Sequence, residues 1–216
     1  MVTSSPLHTA VCALVLGLLL LGSGWPRGSV PAPSPVHGAF RLAPPDTVDD
    51  PRPRLEPQKL EREIHDRINE VRASHRLSRL QWVDSLQVLA EVHNRDMAAR
   101  DFFAHTNPSG ETVNDRAEAL GLVCYRALSD TAFAKGFGEN LYRAHRYGEY
   151  EERYRQGELV ERVYDWKTPP ELVRDVVTGW MNSPSHRENL LTPSYDSEAI
   201  DVYLHGEVVF VTQVLC

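Results

Sequence analysis

The stretch Trp180-Met181-Asn182-Ser183-Pro184-Ser185-His186-Arg187-Glu188-Asn189-Leu190-Leu191 joins the end of an apolar helical pattern to a short polar segment. Ser185 followed by Glu188 has the spacing of a capping box, which predicts a second helix that begins at His186 and ends before Pro193. The positive end of the helix dipole disfavours an imidazolium there. We therefore expect a neutral His186 that can bind a metal or accept a proton, with simple packing or capping as the alternative.

Two other polar signatures interrupt apolar patterns in the same way. The first is Phe102-Phe103-Ala104-His105-Thr106-Asn107-Pro108, and the second is Gly138-Glu139-Asn140-Leu141. A carboxylate that enters a sheet is costly to bury unless it is paired, and a metal or a histidine would pair it. His105, Glu139 and His186 are thus the candidate set for a metal or acid–base site, although each is a weak signal on its own.

Helical patterns fill the regions between these signatures. Apolar residues recur at helical spacing over residues 58–75, 84–97, 112–120 and 168–181. Asp84 with Gln87 and Thr168 with Glu171 have the spacing of capping boxes. His93 falls on the apolar stripe of the second helix, so we expect a core histidine bonded to a backbone carbonyl rather than a ligand.

The strand patterns lie in the second half of the chain. Residues 122–128 and 138–143 are predicted short strands, and residues 199–204 and 207–215 form a predicted hairpin around a His205-Gly206 turn. Helices first and a hairpin last predict the α+β class with a mainly antiparallel sheet.

A charged, tyrosine-rich insertion covers about residues 146–166. Its composition is typical of a solvated surface, with a short helix over residues 148–156, and a dedicated binding lid is the alternative.

The N-terminal region has the composition of an export signal followed by a linker. Residues 10–24 are almost wholly apolar but short for a membrane span, so residues 1–24 are a predicted signal peptide, with an uncleaved anchor as the alternative. Residues 25–57 are a Pro-rich tether, and the folded domain occupies residues 58–216. We therefore expect a secreted or extracytoplasmic protein.

The net charge limits the classes of partner that we expect, and the cysteine content bears on disulfide formation. The net charge of −7 argues against nucleic acid and anionic membrane surfaces. Removal of the signal would leave Cys124 and Cys216, which in an exported chain predict one disulfide, with two separate buried thiols as the alternative.

The region from about residue 60 to the end resembles the superfamily of cysteine-rich secretory proteins, antigen 5 and pathogenesis-related proteins, the CAP or SCP domain, in its prokaryotic branch. The resemblance rests on several stretches in order: residues 68–72 (INEVR), 80–82 (LQW), 103–106 (FAHT), 138–141 (GENL), 179–191 and 211–214 (VTQV).

The resemblance implies a three-layer α–β–α sandwich with a central groove able to hold a divalent cation, zinc above all. The groove residues that carry over are His105, Glu139 and His186, with Asn140, Asn182 and Ser183 as neighbours. Many eukaryotic members have a second groove glutamate where this chain has Ser183, and a hydroxyl cannot replace a carboxylate ligand or base.

Three functions are compatible with these observations. The first is a secreted, monomeric binding protein whose groove takes a lipid or a cell-envelope or extracellular ligand. The second is a metal-dependent peptidase or esterase that uses the same groove. The third is a structural envelope or adhesion protein that uses the tyrosine-rich insertion as its contact surface. The absent second acid and the lack of a His-Glu-x-x-His helix favour binding over catalysis.

Overall fold

The computed structural model describes residues 52–216, so the predicted signal peptide (1–24) and most of the predicted tether (25–57) lie outside the described residues. The elements follow in this order: α1 (Pro57–Ser74), β1 (Gln81–Trp82), α2 (Asp84–Ala99), α3 (Val113–Ala119), β2 (Tyr125–Ala127), β3 (Phe133–Lys135), β4 (Gly138–His145), β5 (Tyr147–Arg155), β6 (Glu158–Trp166), α4 (Pro169–Asn182), α5 (Pro184–Leu191), β7 (Ser197–His205) and β8 (Val208–Leu215).

A four-stranded sheet in the order β1-β7-β8-β4 forms the middle layer. The β7–β8 and β8–β4 pairs are antiparallel, and the short β1 runs parallel to β7. The α1, α4 and α5 helices pack on one face of this sheet, and α2 and α3 pack on the other. The predicted α+β class and the α–β–α sandwich implied by the resemblance are both confirmed.

The central strand β8 is buried on both faces. Its residues Val209, Val211 and Leu215 join the core beneath α1 and α4, whereas Phe210 and Val214 pack toward α2. Helices on both faces explain why this strand is a nearly continuous apolar run rather than an alternating one.

The helix starts agree with the sequence for α4 and differ for α2 and α5. Thr168 and Glu171 form the expected capping box. Val83 rather than Asp84 caps α2, and α5 begins at Pro184 with Ser183 as its cap, so neither the Asp84 nor the Ser185 capping box forms. Proline at the first helical position starts a helix because its fixed φ is already helical. The α5 helix therefore starts at Pro184, two residues earlier than predicted.

The tyrosine-rich insertion is a two-stranded antiparallel ribbon, β5–β6, so the helix predicted over residues 148–156 is wrong. Tyr150 pairs with Tyr164 across the strands, and the rings of Tyr147 and Tyr164 are 4.8 Å apart. The turn at Gln156 and Gly157 has φ values of 55° and 86°, as a tight hairpin turn requires. Cross-strand aromatic pairs override the helix propensity of Glu, Arg and Gln in this segment.

The C-terminal hairpin forms with its turn one residue later than predicted. His205 pairs with Val208, so Gly206 and Glu207 make the turn, and Gly206 has a φ of +58°. Glycine has no Cβ and adopts this left-handed conformation without strain.

The two ends of the described region are attached to the domain. Leu55 is buried in the core, so the ordered domain takes in the last residues of the segment predicted as a tether. Cys124 and Cys216 form a disulfide with their Cα atoms 5.5 Å apart, as expected from the cysteine count. No helix between residues 52 and 216 is both long and apolar enough to cross a membrane.

Candidate functional site

The three signature residues come together at the β4 edge of the sheet. The His105 Nδ1 atom lies 2.9 Å from Oε1 of Glu139, and the His105 and His186 rings are 6.2 Å apart between centroids. Glu139 has only 3% of its side chain exposed, whereas the His105 side chain is 55% exposed. The pair therefore combines a buried carboxylate with an imidazole that solvent reaches.

The end of α2 determines where the His105 loop leaves the helix. Asp101 adopts the left-handed conformation with φ 51°, and the Phe102 amide donates to the Met97 carbonyl at 3.1 Å. This is the hydrogen bond of a Schellman motif, and Phe102 packs against the core cluster that contains Met97. The motif turns the chain back over the sheet and brings His105 above Glu139.

Arg116, on α3, connects both halves of the site. Its Nη2 atom donates to Glu139 Oε2 at 2.5 Å, and its Nη1 atom donates to the His105 carbonyl at 3.1 Å. The guanidinium is only 4% exposed. Arg116 thus holds the backbone of His105 and also the carboxylate that orients the His105 ring.

His93 supports the same loop from beneath. Its Nε2 atom lies 3.0 Å from the Ala104 carbonyl, which confirms the expected core histidine bonded to a backbone carbonyl. The same atom is 3.9 Å from Glu139 Oε1. Burial lowers the pKa of His93, so its neutral form donates through Nε2.

His186 is carried by α5, which amide side chains hold against β4. Asn140 donates to the His186 carbonyl at 3.2 Å, and Asn189 donates to Oδ1 of Asn140 at 2.8 Å and to the Glu139 carbonyl at 3.2 Å. Burial, and secondarily the nearby His105, lower the pKa of His186. The neutral imidazole expected from the sequence is therefore favoured, although its first cause is burial rather than the helix dipole.

Asn182 and Ser183 lie where α4 ends and α5 begins. Ser183 ends α4 and caps α5, and its hydroxyl is 3.5 Å from the Ser185 hydroxyl. In the described part of the chain neither Asn182 nor Ser183 is hydrogen-bonded to His105, Glu139 or His186. Of the predicted neighbours, only Asn140 is bonded to a site residue.

The donor set suits a metal held by two imidazoles. His105 Nδ1 faces the Glu139 carboxylate, which leaves Nε2 free, and within residues 52–216 neither ring nitrogen of His186 has a hydrogen-bond partner. Both Glu139 oxygens are taken by His105 and Arg116. Among the described residues no group of three or more His, Cys, Asp or Glu side chains is arranged to hold a metal. The two imidazoles of His105 and His186 are thus the groups of this site that an ion would use, and its other positions would be filled by water or ligand.

Arg116 is the site residue that sequence reasoning missed. It lies in the short α3 between Val113 and Ala117, whose side chains pack in the core. A cation on the buried side of a short helix was the available signal, because a buried charge requires a counter-charge. Its partner, Glu139, is 23 residues further along the chain.

Comparisons with known proteins agree with this fold. The chain is 25% identical over 161 residues to a protein of Bacillus subtilis (strain 168) described as uncharacterized membrane protein YlbC, a match that covers 74% of this chain and 36% of that protein. It thus spans about a third of that relative's length. An outer surface protein from Borrelia burgdorferi superposes with a TM-score of 0.52 at 18% identity, covering 74% of this chain and 94% of that one.

A second solved structure has a similar coverage of this chain. It is an extracellular protein containing an SCP domain from Bacillus anthracis, with a TM-score of 0.49 at 22% identity, and it covers 74% of this chain and 40% of that one. Residues 65–215 match the model of the CAP family, the Cysteine-rich secretory protein family. The chain therefore belongs to the CAP family.

Proposed function

We propose that this protein is an exported binding protein whose His105–His186 groove holds a divalent metal ion, zinc above all, and through it a lipid or a cell-envelope or extracellular ligand. The observation that carries the proposal is that both carboxylate oxygens of Glu139 already have hydrogen-bond partners. Its carboxylate accepts from Arg116 and orients His105, so the free imidazole nitrogens of His105 and His186 are the groups that remain for a ligand.

The location outside the cytoplasm is supported by the export-type N-terminal sequence. The Borrelia burgdorferi protein that shares this fold is described as an outer surface protein, which is consistent with export of this chain.

Hydrolysis by the same groove is less well supported. A metal-dependent hydrolase needs a general base, and the one carboxylate among the three signature residues, Glu139, already accepts hydrogen bonds from His105 and Arg116. Within residues 52–216 no serine or cysteine side chain is hydrogen-bonded to His105 or His186, as an activated nucleophile would be. Binding therefore uses the two imidazoles that this groove offers. Catalysis would also require a general base or an activated nucleophile.

Zinc titration of the purified chain at neutral pH tests the proposal. We expect uptake of about one zinc ion per chain by calorimetry. The double variant His105→Ala, His186→Ala should lose this uptake, whereas His75→Ala, at the end of α1, should bind as the unmodified chain does. Equal uptake by the double variant would show that the groove is not the site.

Glu139→Gln separates a metal ligand from a residue that orients one. Because Glu139 contacts His105 and not the ion in our proposal, this variant should keep one site per chain and bind zinc about 10–100-fold more weakly. Thermal unfolding followed by circular dichroism shows whether the variant is still folded. Complete loss of zinc from a folded variant would mean that Glu139 is itself a ligand.

A further inference from the structure

A second cleft opens on the same face of the sheet, beyond the C-terminal end of α2. Its volume is about 530 Å³, within the range of small-molecule sites. The cleft is lined by charged, histidine and larger apolar side chains, which are Asp101, Arg143, His145, His205, Val208 and Phe210. None of these belongs to the proposed His105–His186 site.

Strand register explains how the cleft forms. The α2 helix stops at Ala99, and beyond it Arg143, His145 and His205 are exposed. Val208 is half-buried, and Phe210 is buried at the base of the cleft. Val208 pairs with His145 on one side and with His205 on the other. Since neighbouring strands are about 4.8 Å apart, the two imidazoles flank an apolar floor about 10 Å wide.

Arg143 is the cationic residue among those that line the cleft. It pairs with Phe210 in the next row, and its guanidinium lies 5.0 Å from the centre of the Phe103 ring. Among residues 52–216 no carboxylate oxygen lies within 4 Å of its nitrogens, so the ring holds the guanidinium in place without neutralising it. A guanidinium without a carboxylate partner keeps its N–H donors for a carboxylate or phosphate ligand.

The two histidines are also held by aromatic neighbours. The His145 ring stacks on Tyr147 at 4.8 Å and 19°, and the His205 ring stacks on Tyr203 at 6.3 Å and 20°. Asp101 is the one acidic residue among those that line the cleft. The cleft therefore combines one cation that has no carboxylate partner and two imidazoles stacked on tyrosines with the apolar side chains of Val208 and Phe210.

We propose that this cleft binds a small organic anion, a carboxylate or phosphate monoester on an apolar or aromatic body. Arg143 pairs with the anionic group, the imidazoles of His145 and His205 border it, and Val208 and Phe210 contact the apolar body. This site is separate from the metal groove and does not depend on metal there.

Two arguments determine the ligand class. A neutral apolar molecule would bury the Arg143 guanidinium without a partner, which costs free energy. A bare inorganic anion would leave the exposed part of Val208 uncovered. An anion with an apolar body satisfies both parts of the surface.

NMR chemical-shift titration of the full chain with benzoate, phenyl phosphate and neutral benzyl alcohol tests the proposal. We expect saturable shifts with at least one of the two anions and not with benzyl alcohol. The stronger of the two identifies the anionic group as carboxylate or phosphate. The absence of saturable shifts with both anions, or equal binding of benzyl alcohol, would overturn the proposal.

Two variants, one that removes a positive charge and one that removes a negative charge, test whether the anion binds in this cleft. Arg143→Gln should weaken anion binding by about tenfold or more, because it removes the paired charge at similar length. Asp101→Asn, which tolerates the left-handed backbone at this position, should strengthen it. The control Arg155→Gln, at the tip of the β5–β6 ribbon, should bind as the unmodified chain does.

The His105→Ala, His186→Ala variant distinguishes this site from the metal groove. It should lose zinc uptake and retain anion binding. If Arg143→Gln binds the anions as tightly as the unmodified chain, or if the histidine double variant loses them, the ligand is not in this cleft.

Discussion

Glu139 shows how one buried residue takes its role from its contacts. Its type and position suggested a metal ligand, but its two oxygens accept from His105 and Arg116. A buried carboxylate with two such partners has its charge compensated, so it can orient an imidazole without binding an ion. The same ion pair explains why Arg116 can be buried in a helix as short as α3.

A second buried carboxylate, Glu61, makes stability depend on pH. Glu61 is only 3% exposed, and its oxygens accept from the Val202 amide at 3.2 Å and from Gln87 at 2.8 Å. Burial, reinforced by the nearby Asp201, raises its pKa from 4.5 to about 7. The folded state therefore favours the protonated form, and the stability this contributes is present below 4.5 and lost as the pH rises through about 7.

Glu61→Gln should accordingly stabilise the protein at high pH. An uncharged amide avoids the cost of burying the carboxylate, so we expect a gain of about 1–2 kcal/mol at about pH 8 and little change at about pH 4.5. Urea unfolding at the two pH values measures the difference. The control Glu63→Gln, on the more exposed side of α1, should show no pH-dependent gain. An equal effect of Glu61→Gln at both pH values would contradict the assigned titration.

At the scale of elements, α5 and the β5–β6 ribbon differ most from the sequence patterns. Pro184 moves the start of α5 forward, which places His186 at its third rather than its first residue. Asn140 and Asn189 then hold the helix to β4. The register of α5 thus depends on long-range hydrogen bonds that no local pattern encodes.

The ribbon is a two-stranded sheet of its own. Its strands pair with each other and not with the four-stranded sheet. Tyr147, Tyr150, Tyr164 and Trp166 form its aromatic cluster, with Tyr164 and Trp166 4.8 Å apart. A chain in which residues 150–164 are replaced by Asn-Gly should therefore keep the domain folded, with unfolding free energy changed by less than about 1 kcal/mol.

Thermal unfolding and zinc calorimetry of this shortened chain measure that result. Zinc uptake should be unchanged, because the hydrogen-bond and ring partners that residues 52–216 provide for His105 and His186 all lie outside the ribbon. Global unfolding of the shortened chain would instead make the ribbon part of the domain core.

At the scale of the whole molecule, the disulfide joins two distant parts of the chain. Cys124 is buried and follows α3, whereas Cys216 lies directly after β8, 92 residues later. The Cys216 carbonyl also accepts from the amides of Asp196 and Ser197. The disulfide therefore restrains the central strand of the sheet in addition to its ladder hydrogen bonds.

Loss of this disulfide should destabilise the protein without changing the fold. Because closing a long loop restricts the unfolded chain, Cys124→Ser, Cys216→Ser should lose about 2–5 kcal/mol of unfolding free energy, measured in urea. Reductant should shift the unmodified chain toward the variant and leave the variant unchanged. Free thiols at both positions in protein purified without reductant would contradict the pairing.

The sequence by itself determined the class of the fold, most helices, the C-terminal hairpin, the cysteine pair and three of the side chains that meet at the β4 edge, His105, Glu139 and His186. These features rest on local signals, which are apolar spacing, the Thr168 cap, turn residues and ordered motifs. Local signals failed where a partner far along the chain decided the outcome, as in the ribbon and at the start of α5.

Only the tertiary structure decided the roles within the site. It showed that Glu139 faces Arg116 and His105, that His93 supports the loop through Ala104, and that Arg143, His145 and His205 border one cleft. These groups lie on different elements, and their distances depend on sheet register and helix packing. The sequence therefore specified which chemical groups are present, and packing between distant segments decided which of them remain free to bind.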